Sequence, residues 1–548
     1  MKNKTILTLM SVFMVLLLVF VASCKAGTTT ESRNSSSPST AVKTEQPAQP
    51  SQPAQPAQPS QPSQPSQPPQ PVQPPPAQPP QSTQPGEVHN PLQTLPIPSG
   101  SGPMPAVPKT TKTSPFPGTI ILGSPTADSI TFSLMSSADA SVYIEYGKTA
   151  GNYNMHSGLN SLLKDKPLEI KITTLEKDAQ YYYRVCHQVS GQTDFSAGTD
   201  SPFHTQRAVG STFSFGVQGD SHPERAGQMY NSDLYKINMN NVKAHNPDFY
   251  LTMGDDFGID KLGNNLNQTT VNQKYVYQRD YLGLTGSPVF LVNGNHEAAA
   301  RYLLDGTPNN AAVLAAKART QYYPLPDPGA FYSGDTENVP FIGLLKDYYA
   351  WTWGDALFIV IDPYWGSSVP VDTVLGGGIK RNNMWEVTLG EAQYKWFEQT
   401  LATSTAKHKF VFTHHVLGTG RGAIEEAGQY EWGDAAGFAK NRPGWDLPIH
   451  QLMVKYGVTI FFQGHDHLFA RQELDGVTYQ EVPNPADNTY TAFNRDAYKS
   501  GDILPNSGFL NVTVSADQVK VDYVSSYLAK DETSGKKNGQ VTFSYTLK

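Results

Sequence analysis

Read as a succession of apolar and polar positions, the chain changes pattern three times. Residues 6–22 are almost wholly apolar, residues 26–115 are Ser/Thr-rich and then Gln-Pro-rich, and from residue 117 apolar and polar positions alternate in short runs. Those runs, SITFSLMS, ASVYIEYG, LEIKITTL and YYYRVCHQV, are separated by Gly, Asp and Ser. Side chains alternate across a strand, so the pattern predicts an all-β sandwich over residues 116–207. After Thr205 the apolar runs become continuous: FSFGVQ, FYLTMG, PVFLVNG, FIVID, KFVFTH and TIFFQG lead into Gly, Asp or His. Between two of them, Leu389, Trp396, Phe397 and Leu401 recur at helical spacing. Buried strands alternating with helices predict an α/β domain over residues 211–548, with its chemistry at the carboxyl ends of the strands. The final runs, GFLNVTVS, VKVDYVSS and QVTFSYTL, either complete its sheets or form a small separate β-unit.

Composition separates the folded part from the rest. The 43 prolines concentrate before residue 115, whereas the aromatic residues, 11% of the 548, lie almost entirely after it. Repeated Gln-Pro over residues 24–115 favours extended polyproline II at roughly 3 Å per residue, which predicts a disordered, semi-rigid stalk. Residues 1–23, with Lys2 and Lys4 before the apolar stretch Ile6–Ala22, read as a secretory signal too short for a membrane span. The string Val21-Ala22-Ser23-Cys24 resembles a bacterial lipobox. That resemblance implies cleavage before Cys24, lipidation of Cys24, and a membrane-anchored lipoprotein outside the cytoplasm, at the cell surface or in the periplasm. Cys186 is the only other cysteine and reads as a buried free thiol. The net charge is −7 and no Lys/Arg run offers a phosphate-backbone stripe, which argues against a stable nucleic-acid partner.

The strand ends of the α/β domain carry an unusual set of side chains: Asp220 and His222 (GDSH), Asp255 (GDD), Asn295 and His296 (GNHE), His414 (FTHH), and His465 and His467 (GHDH). Any one of these reads as a turn former, a helix cap or an exposed polar residue. Five strand ends presenting carboxylate, amide and imidazole donors point instead to a pair of ions such as Mn, Fe or Zn, with no thiolate to build a structural zinc site. Glycine at these turns allows close backbone approach and positive φ. Asp466, between the two histidines, reads as turn chemistry.

In order, GDSH, GD, GNHE, H and GHDH over residues 211–480 resemble the calcineurin-like metallophosphoesterase superfamily, whose fold is two packed mixed sheets flanked by helices. The resemblance implies one metal on Asp220, His222, Asp255 and His467, and a second on Asp255, Asn295, His414 and His465, with Asp255 bridging. It implies His296 as the residue that contacts phosphate and protonates the leaving group, and leaves His415 either beside the ligand His414 or as the ligand in its place. TTLEKDAQYYYRV and VYIEYGKTAGNY resemble the fibronectin type III-like N-terminal domain of purple acid phosphatase relatives. Two positions depart from the purple enzymes: His222 and Gly258 stand where those use Gly and a tyrosinate, so a purple iron–tyrosinate site is not expected. Gly258 also stands where some members carry the Asp that orients the GNH histidine. Asp256 or Asp260 is left to do so.

The expected function is therefore dinuclear-metal-dependent hydrolysis of phosphate esters, acid phosphatase-like on monoesters of small molecules. A phosphodiesterase or nucleotidase on the same site, and a non-catalytic surface binding protein, are the alternatives. In the Gly-rich loop after His415, Arg421 is the candidate for binding phosphate bidentately. Tyr364 and Trp365, after FIVID, either floor a pocket or pack at its rim.

Overall fold

The computed structural model describes residues 106–375, 383–416 and 420–548. The signal, Cys24 and the stalk up to residue 105 lie outside the described residues; at the far end of the expected stalk, Thr110–Thr113 instead form a strand that pairs with Phe195–Ala197, so the sandwich begins before residue 116. The alternating runs after residue 117 form strands, among them Ile130–Ser136, Ala140–Gly147, Leu168–Ile172 and Gln180–Val189. They make a three-stranded and a seven-stranded sheet, packed face to face through Phe132, Leu134, Val142, Ile144, Tyr181 and Val185. At the corner before the longest strand, the Tyr181 hydroxyl accepts from the Glu176 N–H at 3.0 Å. Cys186 is a buried free thiol, and burial pushes it up to about 12.

Beyond residue 212 two larger sheets stack. The first runs Val289–Leu291, Phe249–Thr252, Phe213–Gln218, Gly508–Val514, Val519–Ser525, Val541–Leu547. Its first three strands are parallel and its last three antiparallel, so the C-terminal runs complete this sheet rather than forming a separate unit. The second sheet is centred on Ala356–Val360, His408–Phe412, Ile460–Gln463 and Val477–Glu481, all parallel. Between the sheets lies an aromatic layer that includes Phe215, Phe249, Phe290, Trp351, Phe358, Phe410, Phe412 and Phe462. Helices Ser232–His245, Gln268–Leu282 and Ala311–Tyr322 cover the outer face of the first sheet, and Glu391–Thr403 and Ile449–Lys455 that of the second. The helix expected around Leu389–Leu401 is Glu391–Thr403, burying Tyr394, Phe397 and Leu401. Strands buried on both faces explain the unbroken apolar runs, and the parallel strands of both sheets end at one edge of the stack. Among the described residues, no helix is long and apolar enough to cross a membrane.

Candidate metal centre and active site

The strand Phe213–Gln218 delivers Asp220 and His222, Phe249–Thr252 delivers Asp255, and Val289–Leu291 delivers Asn295 and His296. From the second sheet, His408–Phe412 delivers His414, and Ile460–Gln463 delivers His465 and His467. All eight are buried. Their donor atoms gather around two foci. At one, Nε2 of His467 lies 3.0 Å from both Nε2 of His222 and Oδ2 of Asp220, and Nε2 of His222 lies 3.6 Å from Oδ2 of Asp255. At the other, Oδ1 of Asn295 lies 3.0 Å from Nε2 of His414 and 3.1 Å from Nδ1 of His465, and those two nitrogens are 3.3 Å apart. Oδ2 of Asp255, 3.2 Å from Nε2 of His414, faces both foci.

The surroundings decide which atoms point inward. Nδ1 of His222 meets Oε1 of Glu224 at 2.6 Å, Nδ1 of His414 meets the Met253 carbonyl at 2.8 Å, and Nε2 of His465 meets Oδ2 of Asp372 at 3.2 Å. Each outer acceptor takes the ring N–H, so the other ring nitrogen turns its lone pair inward. Asn295 donates Nδ2 to the Asp372 carbonyl, which turns its Oδ1 inward. Lone pairs facing one another at 3.0–3.6 Å repel unless a cation lies between them. Ligands about 2.1 Å from an ion are separated by roughly 3.0–3.4 Å at octahedral or tetrahedral angles, so the donors fit metal ions. Three or more of these side chains group at ligating distance in several combinations, including Asp220–His222–His467 and Asp220–Asp255–His414.

Electrostatics agree. Burial alone would raise Asp220 and Asp255, but neighbouring histidines, His414 foremost for Asp220 and His296 for Asp255, hold both well below the carboxylate range. Burial alone would lower His222 and His414. Hydrogen bonds that His222 donates to Asp220 and Glu224 nonetheless carry it up to about 9, and the charges of Asp255 and Asp220 carry His414 up to about 10. Burial takes His467 down to about 4 despite Asp220. The carboxylates thus stay ionised, and positive charge is favoured beside them at His222 and His414 and disfavoured at His467.

Several residues with a part in the site were not singled out in the sequence. Glu297 accepts the N–H groups of Asp255, Asp256, Phe257 and Gly294, tying the GDD turn to the GNHE turn. Its signal was present in GNHE. Glu224 lies two residues past His222, whereas Asp372 sits in a loop without pattern. Asp260, not Asp256, meets Nδ1 of His296, at 2.7 Å; Asp256 is turned toward Ser221 and Gln218. A Cβ on Gly258 would come 2.6 Å from Glu224, so the space a side chain would need is filled by the carboxylate that holds His222. Asp466 is more than turn chemistry: its carboxylate accepts from Arg421, the Gly422 N–H and the Tyr498 hydroxyl. Positive φ falls on His222, Asp255, His465 and His467 themselves, at 48°, 55°, 79° and 54°, as well as on Gly254. Gly464 contributes close approach instead: a Cβ there would lie 2.5 Å from Asp220. His415 stacks on His465 at 4.5 Å and meets the Tyr364 hydroxyl at 2.9 Å. Tyr364 and Trp365 are both buried, and neither lines the cavity over the donors.

That cavity, about 220 Å³, is also lined by Arg225, Lys261, Val374 and Arg421. Buried carboxylates and imidazoles facing inward in two touching groups, at the carboxyl ends of strands from two packed sheets, define a candidate metal centre. Residues 213–469 match the family described as calcineurin-like phosphoesterase. The fold is similar to that of PhoD, with a TM-score of 0.52 and 14% identity over 76% of this chain and 88% of that one. A purple acid phosphatase from yellow lupin (Lupinus luteus) seeds aligns at a TM-score of 0.48 and 15% identity over 78% and 73% of the two chains. No curated protein matches the chain in sequence. The matched segment, residues 213–469, contains every one of these donor residues, and its class is that of metal-dependent phosphoric ester hydrolases.

Proposed function

We propose that this chain hydrolyses phosphomonoesters of small molecules outside the cytoplasm, with two metal ions of the Fe, Mn or Zn type. One ion would be held by Asp220, His222, Asp255 and His467, the other by Asp255, Asn295, His414 and His465. The position of Asp255 Oδ2 between the two donor groups, 3.2 Å from His414 and 3.6 Å from His222, carries the two-ion reading. Oδ1 of the same carboxylate accepts the His296 N–H at 2.9 Å, which fixes its orientation. When bound, such ions supply Lewis acidity toward a water and toward the phosphate oxygens.

The chain's own groups do the rest. Asp260 holds Nδ1 of His296, which leaves Nε2 facing the cavity to deliver a proton to the departing alkoxide. Arg421 lines the cavity and is the second candidate contact to phosphate, although its Nη1 is already bonded to Asp466 and the His465 carbonyl. Glu224, Asp372 and the Met253 carbonyl orient the imidazoles.

The domain reading accompanies this proposal: a signal over 1–23, lipidation of Cys24, a stalk from 24 that gives way to the strand Thr110–Thr113, a fibronectin III-like positioning module from that strand to 207, and the catalytic domain over 211–548. Elemental analysis of the purified protein should return about two transition-metal ions per chain, consistent with a two-metal site. Hydrolysis of 4-nitrophenyl phosphate should exceed that of the bis-ester. Less than one ion with no hydrolysis after adding Mn, Fe or Zn would sink the enzyme reading, and a preference for the diester would sink the monoesterase reading. Cys24→Ser should move the protein from the membrane fraction to the soluble one; unchanged partition would remove the lipid anchor.

A further inference from the structure

Among the described residues, three Lys or Arg side chains line the cavity, and of these Arg225 alone lacks a close carboxylate partner. It ends the short turn Pro223–Arg225, which His222 opens in the left-handed region. Its side chain is 26% exposed and lines the cavity beside His296 and His467. The nearest carboxylate, Glu224, lies 3.6 Å from Nε and is already engaged by His222 at 2.6 Å. Nη1 reaches the Met229 sulfur at 3.1 Å, a weak acceptor. Nη2 lies 3.4 Å from Nε2 of His296, the nitrogen Asp260 leaves facing the cavity. The other two cations are held differently: Lys261 lies 3.1 Å from Asp260, and Arg421 lies 2.8 Å from Asp466.

A guanidinium is a rigid fork of donors matched to phosphate oxygens, and this one converges with an imidazole nitrogen on the same space. An anionic oxygen placed there meets both. A phosphomonoester dianion has three non-bridging oxygens and a diester has two. If the ion pair takes two, a third remains only in the monoester. We propose that Arg225 binds this third non-bridging oxygen and makes the site select dianionic monoesters over singly charged diesters. This rests on the two-ion reading above.

The test uses Arg225→Ala and Arg225→Lys in the metal-loaded full-length protein, with ion content measured alongside. Substrates are 4-nitrophenyl phosphate and its bis-ester, and the affinity for inorganic phosphate is measured by calorimetry. For Arg225→Ala, KM for the monoester should rise and phosphate affinity fall by about 10-fold or more, the scale of a lost charge-assisted contact, while kcat/KM for the diester stays within about threefold. Arg225→Lys should fall between wild type and Arg225→Ala on both measures, because it keeps the charge and loses the fork. Equal losses on both esters, or unchanged phosphate affinity at full ion content, would overturn the proposal. If Arg225→Ala loses ions, the monoester-to-diester ratio of Arg225→Lys decides by the same criterion. A wild type that holds two ions and cleaves neither ester would refute the hydrolytic reading, and the phosphate affinities would still decide the role of Arg225.

Discussion

His296 shows how much of the proposed chemistry depends on one neighbour. Oδ2 of Asp260 accepts from Nδ1 at 2.7 Å and also receives the Thr373 hydroxyl at 3.3 Å, so the ring is fixed with Nε2 toward the cavity. Asp260→Asn offers that nitrogen an amide in place of a carboxylate and loses the charge that steadies an imidazolium. Loss of such an outer partner costs about 10- to 100-fold. The expected result is a fall of that size in kcat for an alkyl phosphate, a smaller fall for the nitrophenyl ester, and unchanged ion content. A nitrophenyl ester has a good leaving group that needs little protonation, so equal losses on both esters would remove His296 as the acid. The sequence showed His296 and narrowed its partner to two carboxylates without deciding between them. The choice comes from Gly258, at φ 55°, which starts the turn Ile259–Asn265 and brings the fifth residue after Asp255 back beneath the ring. Sequence spacing does not encode that reversal.

At the scale of elements, the apolar runs and the donors at their ends were legible, because buried parallel strands have no alternation to blur and a ligand must stand where a strand stops. What was not legible is how each turn is held. In Gly464–His467 the Gly464 N–H donates to the His414 carbonyl at 2.7 Å, the His465 N–H to Asp220 at 2.9 Å, and the Asp466 N–H to Glu481 at 3.0 Å. The partners come from three other segments, up to 245 residues away in sequence. They hold His465 and His467 in a left-handed backbone that costs of order 1–3 kcal/mol per residue. Asp466 is central to this hold, since the Gly422 N–H at 2.9 Å and the Tyr498 hydroxyl at 2.7 Å both donate to it. Asp466→Ala leaves these donors unpaired, at about 1–3 kcal/mol for each buried group. Chemical denaturation should show that loss, and the ion bound through His465 should be the weaker-held of the two in titration with a chelator. Full stability and unchanged ion retention would mean that the turn is held without Asp466.

At the scale of the whole molecule, the order of a β-sandwich and then an α/β domain was legible from the change of period near residue 205. The joint between them was not, because it is made of ordinary polar residues far apart in sequence. Arg279, on the helix Gln268–Leu282, is fully buried and reaches across to the sandwich. Its guanidinium donates to the Thr119 hydroxyl at 3.0 Å, to the Ser133 hydroxyl at 2.9 Å, to the Ser133 carbonyl at 2.8 Å and to the Tyr322 carbonyl. Burial lowers it to about 10, still protonated near neutral pH. A buried cation surrounded by neutral acceptors stays in place only while all of them converge on it. The same contact is close-packed: a Cβ on Gly123 would come 2.3 Å from the Pro324 carbonyl, and the Ser124 hydroxyl donates to that carbonyl at 2.9 Å. The sandwich is thus clamped to the two helices that flank the strand leading to Asn295. Arg279→Met removes the donors and keeps much of the volume, leaving the Ser133 and Tyr322 carbonyls unpaired at about 1–3 kcal/mol each. We expect a lower melting temperature, faster proteolytic cleavage between residues 204 and 213, and a loss of turnover that tracks the loss of folded protein. A variant with wild-type melting and wild-type proteolysis would show that the clamp contributes nothing, and one that melts normally but turns over slowly would show that the sandwich positions the site directly.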